Sequence, residues 1–351
     1  MVAGVPRTTA TGGAVRAKYL LRSLIGETRA PVVGAWGRRG LPALAFRTAL
    51  ESGWWRRHLQ LASLQLLPGA GLVLLRGRVH GRLLDLHDHP GLQLDAVGMT
   101  VPAGVRRRLD ELTKSNIAAF ELLAVPSKSF AELCELEVDR VVVATNGTDT
   151  RRIQPTPGAA EPVVSMVSGA APGRGIELLV SAVEALRQEV PEIRLRLALQ
   201  PTGPASDAYL DELRRTTRER PWVSVQRVAY EDLSGFLGAA ALLAIPHPPH
   251  PYLDAATPVK LFDGMAAGRP TVATPRLETA RILQRRDAGL VTAGDSVDDL
   301  AAAILRLLMD EALRNRLGAN ARQAAVDEFD WLIISERLAR DVLHNDPDRR
   351  A

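Results

Sequence analysis

The 351-residue chain carries 44 Lys+Arg against 40 Asp+Glu, a net charge of +4, with 46% apolar but only 4% aromatic residues. That length suffices for about two ordinary domains, and a composition led by Ala, Leu, Val and Arg suits helices on buried aliphatic strands better than a β-sandwich. Its one cysteine, Cys134, excludes an internal disulfide and argues against a cysteine-based zinc site.

In chain order, "VAGVP" reads as a short strand, "RTTATGGAV" as a glycine-containing loop and "RAKYLLRSLIGE" as a helix. "APVVGAWG" is expected as a second strand and residues 44–67 as mostly helical. "GLVLLRGR" and "RLLDLHD" are apolar runs of strand length, followed by helix (102–121), strand ("LLAVPS"), helix ("KSFAELCEL") and strand ("RVVVATNGTD"). The pattern then restarts at "PVVSMVSGA" and alternates through "ALLAIPH" to "TPVKLFDGMAAGRPTVATP". In that last stretch Thr257 is expected as the helix cap and Pro258 as the first helical residue. Gly268 should stop the helix in the left-handed conformation, Pro270 should prevent its continuation, and "TVAT" should be a buried strand. Three helical stretches close the chain. Strand–helix alternation run twice, with a hinge near 145–158, predicts two tandem Rossmann-like α/β domains with parallel sheets and a cleft between them. Ligands are expected at the carboxyl ends of the strands.

Charge is uneven. Residues 1–150 hold 19 Lys+Arg and 13 Asp+Glu, and the remainder 25 and 27. The basic first half reads either as an Arg-rich solvated surface or as an attraction for an anionic or membrane-associated acceptor. "GWWRRH", Trp54 to His58, carries the membrane idea, against a partly buried Trp pair on an amphipathic helix. Nucleic acid is not expected, because no basic run is interleaved with aromatics. No charged lead with an apolar core opens the sequence, so a cytoplasmic protein is expected, with peripheral contact at the inner membrane face as the extension of the membrane idea.

"TPVKLFDGMAAGRPTVAT" resembles the signature of retaining nucleotide-sugar glycosyltransferases of the GT-B fold, most closely glycosyltransferase family 4. "VVVATNGTD", "VSGAAPGRGIELLVSAVEAL", "LLDLHDHPG" and "EFDWLIISERL" resemble further motifs of that family, in the same order. The resemblance implies a GT-B fold: an acceptor-side domain (1–150), a nucleotide-sugar domain (151–328) and a helix crossing back to the first domain (329–351). It implies transfer of a hexose from a UDP- or GDP-linked donor without a metal cofactor. It places Arg174 at the position of a phosphate-binding lysine, between Gly173 and Gly175; Asp263 at that of the ribose-binding glutamate; His87 beside the transferred sugar; and Gly12 and Gly13 in a loop near donor and acceptor. The turn Thr257, Pro258, Val259, with Lys260 after it, offers helix-terminal amides to phosphate.

Two departures stand out. Ala255 occupies the position of a sugar-gripping glutamate, with Asp254 adjacent, and Ala170 that of a phosphate-binding arginine. His247 and His250 of "PHPPHP" could line the pocket, and a metal cluster of His87 with Asp88 and His89 is not expected. A nucleotide-sugar epimerase and a non-catalytic sugar- or partner-binding protein of the same fold remain open as alternatives.

Overall fold

The computed structural model describes residues 2–3, 15–16, 19–20, 61–63, 81–98, 100–118, 120–156, 161–201 and 204–344. The expected elements at 30–37 and 71–78, the Gly12–Gly13 pair and the Trp54–His58 stretch lie outside them. The chain forms two compact units: one takes the described residues up to Asn146 and those from Trp331 onward, the other spans Gly147–Asp330.

Among the described residues of the first unit, five strands pair in parallel in sequence order: β1 (Val2–Ala3), β2 (Leu61–Ser63), β3 (Gly81–Asp85), β4 (Phe120–Val125) and β5 (Val141–Val143). Helices α1 (Pro90–Ala96), α2 (Ala103–Ala118) and α3 (Lys128–Leu133) connect the last three. Leu83, Leu84, Leu123, Val125 and Phe130 are fully buried, as strands covered on both faces require. One expectation fails here. Leu61–Ser63, expected inside a helix, is a strand between β1 and β3. A short apolar run such as "LQLASLQLL" has no periodicity that separates the two states, and strand pairing decides it.

The second unit is a six-stranded parallel sheet of β6 (Val163–Gly169), β7 (Arg194–Gln200), β8 (Val223–Gln226), β9 (Leu242–Ile245), β10 (Thr271–Ala273) and β11 (Gly289–Val291), in the order β11-β10-β9-β6-β7-β8. Its helices are α4 (Ile176–Leu186), α5 (Pro204–Thr216), α6 (Leu233–Gly238), α7 (Pro251–Ala255), α8 (Val259–Ala266), α9 (Leu277–Arg286), α10 (Val297–Met309) and α11 (Glu311–Glu328). A last helix, α12 (Trp331–His344), belongs to the first unit.

Side chains alternate across the sheet as a strand demands. Leu242 and Ala244 of β9 join the core built with α4, α5 and α10, whereas Leu243 and Ile245 join the opposite core with α8 and α11. Strand order reverses between β6 and β9, so the loops leaving these two strands flank a topological switch point. The unit also begins and ends in one place. The Thr148 N–H donates to the Phe329 carbonyl at 2.9 Å, and the Thr150 N–H donates to the Asp330 carboxylate at 3.0 Å.

Candidate active site

β6 ends at Gly169 and leads through the turn Pro172–Arg174 into α4. β9 ends at Ile245 and leads into Pro246 and His247. These are the two strands flanking the switch point, and Gly175 joins their loops. It sits in the left-handed region at φ +73°, and a Cβ there would lie 1.7 Å from the Pro246 carbonyl oxygen. Gly173, by contrast, has an ordinary φ of −73°. The two glycines that flank Arg174 therefore differ: backbone and packing both require Gly175, whereas the φ of Gly173 is open to any residue.

The side chains gathered there are basic. Arg174 is half-buried, not an exposed turn residue, and its Nε is enclosed without a partner. Lys260 reaches in from α8 and donates from Nζ to Ser168 Oγ at 3.1 Å. Burial first, then the Arg174 guanidinium, push this ammonium well below the usual lysine range. His247 is 1% exposed and neither ring nitrogen has a hydrogen-bond partner. Burial, reinforced by Lys260, Arg174 and Arg276, holds its imidazole neutral, far below the ordinary histidine range. Enclosed polar groups without partners beside like charges are costly, and an anion would accept from the Arg174 Nε–H and from the one N–H of the neutral His247 ring.

α8 begins at Val259 with Pro258 as its cap residue, and no side chain caps its first turn. Thr257, the expected cap, lies one residue earlier and is buried. Pro258 takes the extended conformation itself (ψ 131°), which shifts the boundary by one. The expected stop is met: Gly268 has φ +68°. Asp263 is 5% exposed, and Thr148 Oγ1 donates to its carboxylate at 2.8 Å. Burial is the main cause that raises its pKa to about 7; Asp149 adds to this, while the Thr148 bond opposes it. Among its neighbours on the helix, Phe262 is core and Val259 only half-buried.

Residues 161–310 match the family model described as "Glycosyl transferases group 1". This stretch is a group 1 glycosyltransferase domain. Similar curated proteins include the MMP alpha-(1->4)-mannosyltransferase of Mycolicibacterium hassiacum, 28% identical over 226 residues covering 61% of this chain and 52% of that protein. The GDP-mannose-dependent alpha-(1-6)-phosphatidylinositol monomannoside mannosyltransferase of Mycobacterium tuberculosis is 27% identical over 221 residues, 58% of this chain and 56% of that one. The chain thus spans about half the length of the curated relatives it matches. Among solved structures, the sucrose-phosphate synthase of Thermosynechococcus elongatus superposes with a TM-score of 0.72 at 16% identity, covering 98% of this chain and 99% of that chain. Anabaena HepE in complex with UDP-glucose also gives 0.72, at 17% identity, with 98% and 100% covered. The fold is GT-B.

Within the glycosyltransferase domain, the two positions that depart from the resemblance are both core. Ala170 is 1% and Ala255 3% exposed. Asp254 is engaged by Arg276 at 3.5 Å, and Arg276 also donates to both oxygens of Asp295 at 2.7 Å. His250 is a helix cap: its Nδ1 accepts from the Tyr252 N–H at 3.1 Å. In the first unit His89 does the same for α1, accepting from the Leu92 N–H at 3.4 Å. Among the described residues no group of three or more His, Cys, Asp or Glu comes together to hold a metal, and no helix is long and apolar enough to cross a membrane.

His87 lies just past β3, buried at 7% exposure. Its Nδ1 is 3.1 Å from Asp85 Oδ2. Sequence reasoning missed Asp85 and its partner Arg16, both 0% exposed. The available signal was a charged residue inside an apolar strand, two positions before His87 and hence on the same face.

Proposed function

We propose that this protein transfers a hexose from a UDP- or GDP-linked sugar to an acceptor, with retention of configuration. The observation that carries the reading is the enclosed set of Arg174, Lys260 and His247 at the switch point, with its unpartnered donors. A diphosphate supplies the negative charge that set lacks, and its charge grows as the glycosidic bond breaks. Lys260 stands in for the arginine that Ala170 replaces. Asp263 serves the ribose, and His87 the transferred sugar. The mannosyltransferase relatives and the HepE complex make GDP-mannose and UDP-glucose the first donors to test. No side chain is assigned as a covalent nucleophile; positioning and charge stabilisation do the work.

Two measurements test this. Thermal stabilisation by a panel of UDP- and GDP-linked sugars should single out one nucleotide, followed by slow release of free sugar from that donor. Arg174→Ala should weaken nucleoside diphosphate binding about tenfold or more while leaving the melting temperature of the free protein unchanged or raised, because it removes a like charge beside Lys260. An affinity for free diphosphate equal to that of the unsubstituted protein would remove Arg174 from the site. Stabilisation by a donor without any release or transfer would favour the non-catalytic reading.

A further inference from the structure

Three segments of the first unit meet on one buried ion pair, Arg16 with Asp85. Arg16, in helical conformation shortly after Gly13, donates from Nε at 2.9 Å and from Nη2 at 2.8 Å, both to Asp85 Oδ1. Its Nη1 donates to the Thr145 carbonyl and to Asn146 Oδ1, each at 3.1 Å. Asp85 Oδ2 faces His87 Nδ1. The remaining ring nitrogen, Nε2, is enclosed without a hydrogen-bond partner; Asp88 Oδ2 lies 3.7 Å away.

We propose that Asp85 is a positioning residue that, clamped by Arg16, fixes the proton of the neutral His87 ring on Nδ1 and leaves Nε2 as the nitrogen that meets the substrate. The proposal rests on the reading of His87 as the group beside the transferred sugar. The division of labour between the carboxylate oxygens is what makes it specific. Arg16 spends two donors on Oδ1, so the anion cannot turn away, and Oδ2 is the oxygen that faces the ring. An aspartate held in this way orients an imidazole and stabilises its charged form.

The electrostatics agree. For Asp85, burial alone would raise the pKa, but the charges and hydrogen bonds of Arg16 and His87 hold it well below the carboxylate range. For His87, burial opposes the charged form, yet Asp85, with a smaller contribution from Asp88, outweighs both burial and the Arg16 charge, and the pKa is raised. The ring therefore changes charge above the ordinary histidine value of about 6.5. Below that point Nε2 is a cationic donor suited to an oxygen gathering negative charge, and above it a neutral acceptor.

Asp85→Asn gives a sharp test because Arg16 dictates how the amide sits. The amide oxygen must occupy the Oδ1 position to meet the two guanidinium donors, so the NH2 group faces Nδ1 and donates to it. Nδ1 must then accept, and the proton moves to Nε2. Nitrogen NMR of the histidine-labelled protein, with His87 assigned by His87→Gln, reads this directly. The unsubstituted protein should show a neutral His87 protonated on Nδ1, with a titration midpoint above that of an unperturbed histidine. Asp85→Asn should show the Nε2–H form and a lowered midpoint. Donor turnover should fall about tenfold or more with KM little changed, and the acid limb of its pH profile should move with the NMR midpoint.

A neutral His87 carrying its proton on Nε2 in the unsubstituted protein would overturn the proposal, even if Asp85→Asn fails to fold. So would a midpoint that Asp85→Asn does not change. If the NMR results hold while no sugar of the UDP- and GDP-linked panel is turned over, the positioning geometry stands and the transferase reading fails. If the enzyme is active but the tautomer is the Nε2–H form, the transferase reading stands and the positioning role of Asp85 fails.

Discussion

Asp263→Asn is expected to make the free protein more stable at alkaline pH and a poorer binder of its donor. The buried carboxyl has a pKa of about 7, against 3.8 for an unperturbed aspartate. A folded-state pKa above the unfolded one means that the native protein holds the proton more tightly. Between these two values the unfolded chain binds fewer protons, so stability falls as pH rises. The loss is absent below about pH 4, grows through the acid range and levels off above about pH 7, reaching about 4 kcal/mol at most. Asparagine can still accept from Thr148 and carries no charge to bury. Urea unfolding at pH 5 and pH 8 should therefore show a stabilisation that is larger at pH 8. Equal differences at both would mean that Asp263 titrates normally.

The functional half of that result has the opposite sign. Ribose hydroxyls need acceptors, so donor binding should favour the ionised carboxylate and release a proton near neutral pH. Asp263→Asn should weaken donor binding by about 1–3 kcal/mol, the range for a charged hydrogen-bond partner, and should abolish the proton release. Titration calorimetry in two buffers of different ionisation enthalpy measures both. Unaltered donor affinity would leave Asp263 as a buried structural acid and nothing more.

Gly175→Ala should be the most damaging small substitution in the second unit. The new methyl would meet the Pro246 carbonyl oxygen 1.7 Å away, a backbone atom that cannot swing aside, at a residue whose φ of +73° already disfavours a side chain. The left-handed conformation alone costs roughly 1–2 kcal/mol, and the clash brings the expected loss to about 4 kcal/mol or more. Because the contact joins the Arg174 turn to the His247 loop, nucleoside diphosphate affinity should fall as well. Gly173→Ala is the control, since φ at −73° suits any residue. Denaturant midpoints for the two variants decide the matter, and equal losses would mean that the loops separate freely.

What the sequence made legible was whatever depends on local chemistry. Gly268 and Pro270 stop α8 because "GRP" punctuates the chain whatever surrounds it. The strand–helix alternation pointed to both parallel sheets, since buried aliphatic runs and their connecting helices carry their own periodicities. The His-Pro pairs are also local, although the expectation was a pocket role for His250 and no metal role for His89. His89 and His250 each precede a proline that opens a helix, where extended backbone puts an imidazole within reach of the free amides. What could not be read was long-range pairing. Arg16 and Asp85 are 69 residues apart, and Thr148 and Asp263 are 115 apart; no spacing rule joins them. The neutral state of His247 likewise depends on burial and on Lys260, Arg174 and Arg276 arriving from three other segments.

The hydrogen bonds that tie Thr148 to Phe329 and Thr150 to Asp330 have a topological consequence. Residues 147–330 leave the first unit and return to it at the same place, so the whole second unit is a closed excursion from a chain that would otherwise pass from Asn146 to Trp331. Its ends are already neighbours, and joining them costs little loop-closure entropy. The second unit is thus suited to being cut out as one piece, or circularly permuted through a short linker, without stretching its fold. The first unit has no such freedom, because it is assembled from two separate lengths of chain and its last helix can dock only after the excursion has been synthesised.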